Sequence, residues 1–255
     1  MRVVSAAAFL AGAVLALGGA VGAGWLTDRS ASEEPRLTAA EVQTIVRTYL
    51  EDRPEAVIDA IRAYQARQEK READERGRAV SLLWDSIAHA PGDPVLGNPD
   101  GDVTLVEFFD YRCGYCKRVL PDMLGLVAAD PKLRIVMKEF PILGPDSVLA
   151  ARAALAADRQ GRYAEVHEIL MAAPGRLDEE RVFALIEAAG LDMERLRADM
   201  GHPEIETALR RNMELAEALG IQGTPAFVTR EEIVPGAVGG PALREMIERA
   251  RAGAS

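Results

Sequence analysis

The longest feature of the hydropathy pattern is an apolar run from Val3 to Leu26, with Arg2 before it and Asp28 and Arg29 after it. Such a run is long enough to cross the ~30 Å hydrocarbon core of a bilayer as a helix. Its small residues Gly18, Gly19, Ala20, Gly22 and Ala23 also offer a peptidase site. Residues 1–30 are therefore read as an export segment, either a cleaved signal peptide or a retained membrane anchor. In a bacterial cell both place the rest of the chain outside the inner membrane, because Arg2 stays cytoplasmic. A buried core helix fits poorly, since the run has no polar face.

After a polar linker from Ala31 to Arg36 the pattern turns helical. Thr38-Ala39-Ala40-Glu41 has the spacing of a capping box, and Val42, Ile45, Val46, Tyr49 and Leu50 follow on one face. Arg53-Pro54 breaks the pattern, and Asp52 is expected to cap a second helix that carries Val57, Ile58, Ile61 and Tyr64. From Gln65 to Arg78 the stripe disappears into charge, as in a solvated connecting helix with a weak point at Gly77. Apolar spacing resumes at Val80, Leu82, Leu83 and Ile87. Two short helices with one apolar face cannot bury enough surface alone. Residues 31–90 are thus read as a helical region and linker helix that self-associates, with folding back onto the next unit as the alternative.

Residues 91–255 read as an α/β unit. Gly and Pro mark turns around Val95-Leu96, Val103 to Phe109 reads as a buried strand, Lys117 to Ala129 as a helix and Leu133 to Met137 as a second strand. Only helical patterning follows between Pro145 and Leu219, broken at Gly161, Pro174-Gly175, Gly190 and Gly201 to Pro203. Ala226 to Val228 and Glu232 to Val234 are short strands, and Pro241 to Arg251 closes the chain as a helix.

Composition narrows the partners. Forty acidic against 30 basic residues give a formal net charge of -10, and no Lys/Arg block offers a phosphate-binding surface, so nucleic acid is excluded as a ligand. The chain has two cysteines, Cys113 and Cys116, separated by Gly114-Tyr115. A bridge across so short a loop removes little chain entropy, so its use is chemical rather than structural. A structural zinc site needs about four ligands, and His89, His167 and His202 are not at paired spacing. Covalent haem needs a His after the second Cys, where this chain has Lys117. A strand delivering Cys113 to a helix N-terminus suits a thiolate nucleophile, since such thiols can titrate as low as roughly 3.5–7.5. Cys116, one turn on, is placed to resolve the mixed disulfide formed at Cys113.

Two segments now carry a resemblance. Phe108-Phe109-Asp110-Tyr111-Arg112 before Cys113-Gly114-Tyr115-Cys116, together with Gly223-Thr224-Pro225-Ala226-Phe227, resemble thioredoxin-superfamily proteins of the DsbA type, from about Asp93 to Ala252. The resemblance implies a thioredoxin-like fold with a helical insertion, behind an α-helical N-terminal region. It implies that Pro225 is a cis proline facing the cysteines and that the Thr224 backbone pairs with extended substrate. It also implies that Glu107 is a buried acid beneath Cys116, moving protons during exchange, where the residues alone leave open a half-exposed strand-end glutamate. No cofactor or resident metal is called for.

Gly114-Tyr115 and Thr224 are similar to the corresponding residues of DsbC-type isomerases rather than DsbA-type oxidases. Tyr49 to Ile58 resembles the N-terminal segment of ScsC-type proteins, whose helices can trimerise and which are associated with copper tolerance. The function implied is a periplasmic disulfide isomerase or reductase acting on exported cysteine-containing proteins. A membrane thiol reductase would keep it as a dithiol, and its assembly would be a homo-oligomer, with a trimer favoured. A dithiol oxidase served by a membrane oxidase is the alternative, and a Cu(I)-binding or holdase protein is the alternative of another class.

Overall fold

The structure, a computed structural model, describes residues 37–253; the export segment, including the run Val3 to Leu26, and the linker after it lie outside the described residues. The described residues divide after Ile58 into two units. In the first, helix α1 (Ala39–Asp52) opens on the expected capping box, with the Thr38 hydroxyl accepting from Glu41 N and the Glu41 carboxylate accepting from Thr38 N at 2.8 Å. None of its residues is buried, and Val42, Ile45, Val46, Tyr49 and Leu50 are all exposed. Asp52 does not cap the next helix as expected. It is the last residue of α1, and the first turn of α2 (Glu55–Ala88) hydrogen-bonds back to the carbonyls of Arg53 and Pro54 instead.

Helix α2 runs through Gly77 without a break. Most of it belongs to the second unit, so the division falls earlier than residue 90. The reason is burial: the last turns of α2 place Val80, Trp84, Ile87 and Ala88 in that unit's core. Among the described residues no helix is long and apolar enough to cross a membrane.

The second unit is a five-stranded sheet in the order β1-β3-β2-β4-β5, formed by Val95–Gly97, Leu133–Glu139, Val103–Phe109, Ala226–Val228 and Ile233–Pro235. β2 and β3 run parallel, joined by α3 (Gly114–Ala129), and the other pairs are antiparallel. Between β3 and β4 lies the helical insertion, α4 (Pro145–Asp158), α5 (Tyr163–Ala172), α6 (Glu179–Ala188), α7 (Met193–Asp199) and α8 (Pro203–Ala218), and α9 (Gly240–Gly253) ends the unit.

Alternation along β2 divides the core into two layers. Leu105 and Phe109 join the layer beneath α3, α9 and the insertion, while Val106 and Phe108 join the layer covered by the ends of α2 and α8. Burial on both faces explains why β2 reads as a continuous apolar run rather than an alternating one. The exception within it is Glu107, which falls on the α3 side and is 3% exposed.

Candidate active site

β2 is paired on both edges, so the turn that follows it starts from a fixed point. Asp110 then locks that turn. Its carboxylate accepts from Arg112 N at 2.7 Å, Ser147 Oγ at 2.8 Å and Leu143 N at 3.0 Å, and its carbonyl accepts from Cys113 N at 3.0 Å. Cys113 occupies the N-cap of α3 with φ -75° and ψ 111°, and its carbonyl accepts from Lys117 N. The helix therefore begins at Gly114, earlier than the apolar spacing predicts, because Gly114-Tyr115 carries no helical stripe. Cys116 lies in its first turn.

Both thiols are free and nearly buried, Cys113 at 7% and Cys116 at 1% exposure. The Cys113 Sγ donates to the carbonyl of Thr224 at 3.2 Å, and the Thr224–Pro225 bond is cis. Two segments far apart in sequence thus meet at one sulfur. Tyr115 stands outside this contact, 57% exposed, with the Arg118 guanidinium 4.2 Å from its ring centre.

Glu107 lies behind the dithiol. Burial pushes its carboxyl up to about 8, and it has no ion-pair or hydrogen-bond partner among the described residues to reverse that. Burial, and then the proximity of Glu107, push the Cys116 thiol up, so it keeps its proton near neutral pH. A buried thiol that must lose a proton beside a carboxyl able to hold one is an acid-base pair suited to Cys116 attack. Lys117 fixes α3 from the other side. Its Nζ donates to the carbonyls of Leu170, Met171 and Ala173 at 3.0, 3.2 and 2.7 Å, capping the end of α5.

The structure brings together Cys113, Cys116, Glu107, Thr224 and Pro225. Sequence reading missed the locking role of Asp110, the capping role of Lys117 and a buried cluster of Tyr111, Glu139, Tyr163 and His167. One signal for that cluster was visible: Lys138-Glu139 is a charged pair at the end of a strand whose other residues are mainly apolar. Among the described residues no three His, Cys, Asp or Glu side chains converge as a metal site.

A dithiol at the start of a helix, facing a cis-proline loop at the end of a central strand, defines a thioredoxin-fold thiol-disulfide oxidoreductase. Residues 104–248 match the DSBA-like thioredoxin domain, and the chain belongs to that family. A thioredoxin-like oxidoreductase from Silicibacter pomeroyi DSS-3 is similar at 48% identity, with a TM-score of 0.65 over 66% of this chain and 97% of that one. ScsC of Proteus mirabilis, in a transitional conformation, is similar at 29% identity and a TM-score of 0.63 over 85% of this chain and 100% of its own. Among curated sequences, the Na(+)/H(+) antiporter NhaA 1 of Salinispora arenicola is 29% identical over 160 residues. That match takes in 60% of this chain but 24% of the antiporter's length.

Proposed function

We propose that the protein is a periplasmic disulfide isomerase or reductase of exported proteins, with Cys113 as nucleophile and Cys116 as resolving thiol. The observation that supports the exchange chemistry is the 3.2 Å contact between Cys113 Sγ and the Thr224 carbonyl, beside the cis Thr224–Pro225 loop with which an extended substrate strand would pair. The Cys113 thiolate attacks one sulfur of a substrate disulfide, forming a mixed disulfide and releasing the other substrate sulfur as a thiolate. In isomerisation, a different substrate thiolate then attacks the mixed disulfide, and Cys113 leaves as a thiolate with no net oxidation. In reduction, Cys116 passes its proton to Glu107 and attacks Cys113 Sγ. The second substrate thiolate departs, the protein becomes the Cys113–Cys116 disulfide, and a membrane thiol reductase restores the dithiol.

Two features support this direction over oxidation. Gly114-Tyr115 and Thr224 are similar to DsbC-type isomerases. The exposed stripe of α1, continued by Val57, Ile58, Ile61 and Tyr64 at 46–56% exposure, is apolar surface of the kind that assembly covers. ScsC-type resemblance in the same segment favours a trimer, with several dithiols facing one substrate. Acid quenching of cells followed by alkylation tests the direction. A dithiol in most molecules at steady state is expected; a largely oxidised pool would replace this reading with a dithiol oxidase.

A further inference from the structure

The end of β3 carries a second buried carboxyl. Glu139 is 1% exposed, and its Oε1 accepts the hydroxyls of Tyr111 at 3.0 Å and Tyr163 at 2.9 Å. Tyr111 belongs to the turn that delivers Cys113, and its hydroxyl lies 3.2 Å from Nδ1 of His167 on α5. The His167 ring stacks on Tyr163 with centroids 5.6 Å apart and meets Phe109 edge-on at 4.9 Å. Burial lowers the imidazole to about 3, so it is neutral. A neutral His167 brings no positive charge to Glu139, yet it can donate to or accept from Tyr111 according to which nitrogen holds its proton.

The register of the sheet ties this cluster to the redox centre. Glu107 pairs with Met137 and Phe109 pairs with Glu139, so the two carboxyls project from one face as diagonal neighbours on adjacent strands. Ordinary strand spacing puts their backbones about 8 Å apart. The titratable groups facing Glu139 are Tyr111 and Asp110 from the turn, Tyr163 and His167 from α5, and Glu107 from β2. From α8 comes only the Asn212 amide, which donates to the Glu139 main-chain carbonyl at 3.2 Å. Cations are committed elsewhere: Lys117 to the end of α5, and Lys138 to Asp93 and the Ser86 carbonyl on the opposite face. Two buried carboxyls with no cation between them cannot ionise independently, because charge on one tightens the other's hold on its proton.

We propose that Glu139 is a positioning residue of the redox centre, its proton occupancy set by Tyr111, Tyr163 and His167, and that Glu139 and Glu107 hold protons as one coupled pair. Its consequence for exchange rests on the relay role proposed for Glu107, but the coupling itself does not. Burial raises Glu139 well above the ordinary carboxyl range, and its two phenol donors pull in the other direction by favouring the carboxylate. Removing the phenol of Tyr111 therefore pushes Glu139 toward its neutral form. Removing the Glu107 carboxyl leaves Glu139 to titrate alone.

Carbon-13 carboxyl NMR of the reduced full-length protein, labelled at glutamate and titrated from acid to alkaline pH, reads the pair directly. Glu107→Gln and Glu139→Gln identify the two signals. In Glu107→Gln the Glu139 midpoint is expected to fall by about one pH unit, because Glu139 then ionises without a charged Glu107 beside it, and in Tyr111→Phe to rise, because a donor to the carboxylate is lost. A role limited to packing would lower the melting temperature and leave the Glu139 midpoint in place. An unchanged Glu139 midpoint in folded Glu107→Gln overturns the proposal, and Tyr111→Phe, which keeps the ring, overturns it likewise by leaving that midpoint unmoved if Glu107→Gln does not fold. A shifted midpoint with exchange insensitive to Glu107→Gln would retire the relay while upholding the pair.

Discussion

The two faces of the central sheet bury charge in opposite ways. On the face covered by α2 and α8, Lys138 is wholly buried, yet its Nζ meets the Asp93 carboxylate and the Ser86 carbonyl at 2.9 Å, and Arg211 approaches the same carboxylate at 2.6 Å. On the face beneath α3, Glu107 and Glu139 are similarly buried, and among the described residues no cation faces either. A compensated cluster is a structural device, whose members lose much of their stability contribution when separated. An uncompensated acid destabilises the fold whenever it ionises, and it persists where it has chemistry to do. The contrast fits the proton relay proposed for Glu107, on the face that carries the cysteines.

The largest effect should come from breaking the compensated side. Lys138→Met leaves Asp93 facing Arg211 without its buried partner and is expected to cost about 3–5 kcal/mol in urea unfolding. Exchange per folded molecule should not change; a slowed exchange would blur the distinction between the faces.

Glu107→Gln should act in the opposite sense, increasingly as pH rises above the ordinary carboxyl range. The folded-state carboxyl is raised to about 8, so between the ordinary carboxyl range and pH 8 the folded protein binds more protons than the unfolded one. Stability therefore falls as pH rises through that window. The variant should be more stable than the parent at pH 9 by up to roughly 5 kcal/mol and nearly equal to it at pH 4. Parallel stability curves for the two proteins would show that Glu107 ionises freely in the fold.

His167 gives a smaller effect on the acid side. Its folded pKa is lowered to about 3, so the unfolded chain takes up the proton first and stability falls as pH drops below ~6.5. His167→Phe should remove that acid slope while costing about 1 kcal/mol at pH 7 through the lost contact with Tyr111. A retained slope would assign it to other groups.

Smallest in stability is the exposed stripe. Val46→Glu, at 50% exposure, should change the unfolding free energy of the second unit little, by about 0.5 kcal/mol or less. It should nevertheless lower the mass seen by light scattering and reduce isomerase activity. A parent protein that is already monomeric would contradict self-association.

How much of this was legible in the sequence follows from the range of each interaction. β2 and the closing helix stood out because their signals are local, an apolar run and a periodic face. The start of α3 was late and Asp52 misplaced because helix ends depend on which residue the backbone bonds to, and Arg53-Pro54 offered a competing first turn. Glu107 and the Thr224-Pro225 loop came from resemblance, since neither spacing nor composition reports that residues near 110 and 224 meet. The Tyr111, Glu139, Tyr163 and His167 cluster draws on three separate elements and on the pairing of Phe109 with Glu139. No one-dimensional pattern carries that register.

The most direct measurement of the central claim is the single-turnover rate at which Cys116 resolves a mixed disulfide preformed on Cys113, followed against pH in the parent protein and in Glu107→Gln. The parent rate is expected to rise with pH through a step near 8, as Glu107 loses its proton and becomes able to accept that of Cys116. In Glu107→Gln that step should be absent, with the rate below the parent's at and above pH 8 and close to it at acid pH. Superimposable profiles in the two proteins would contradict it.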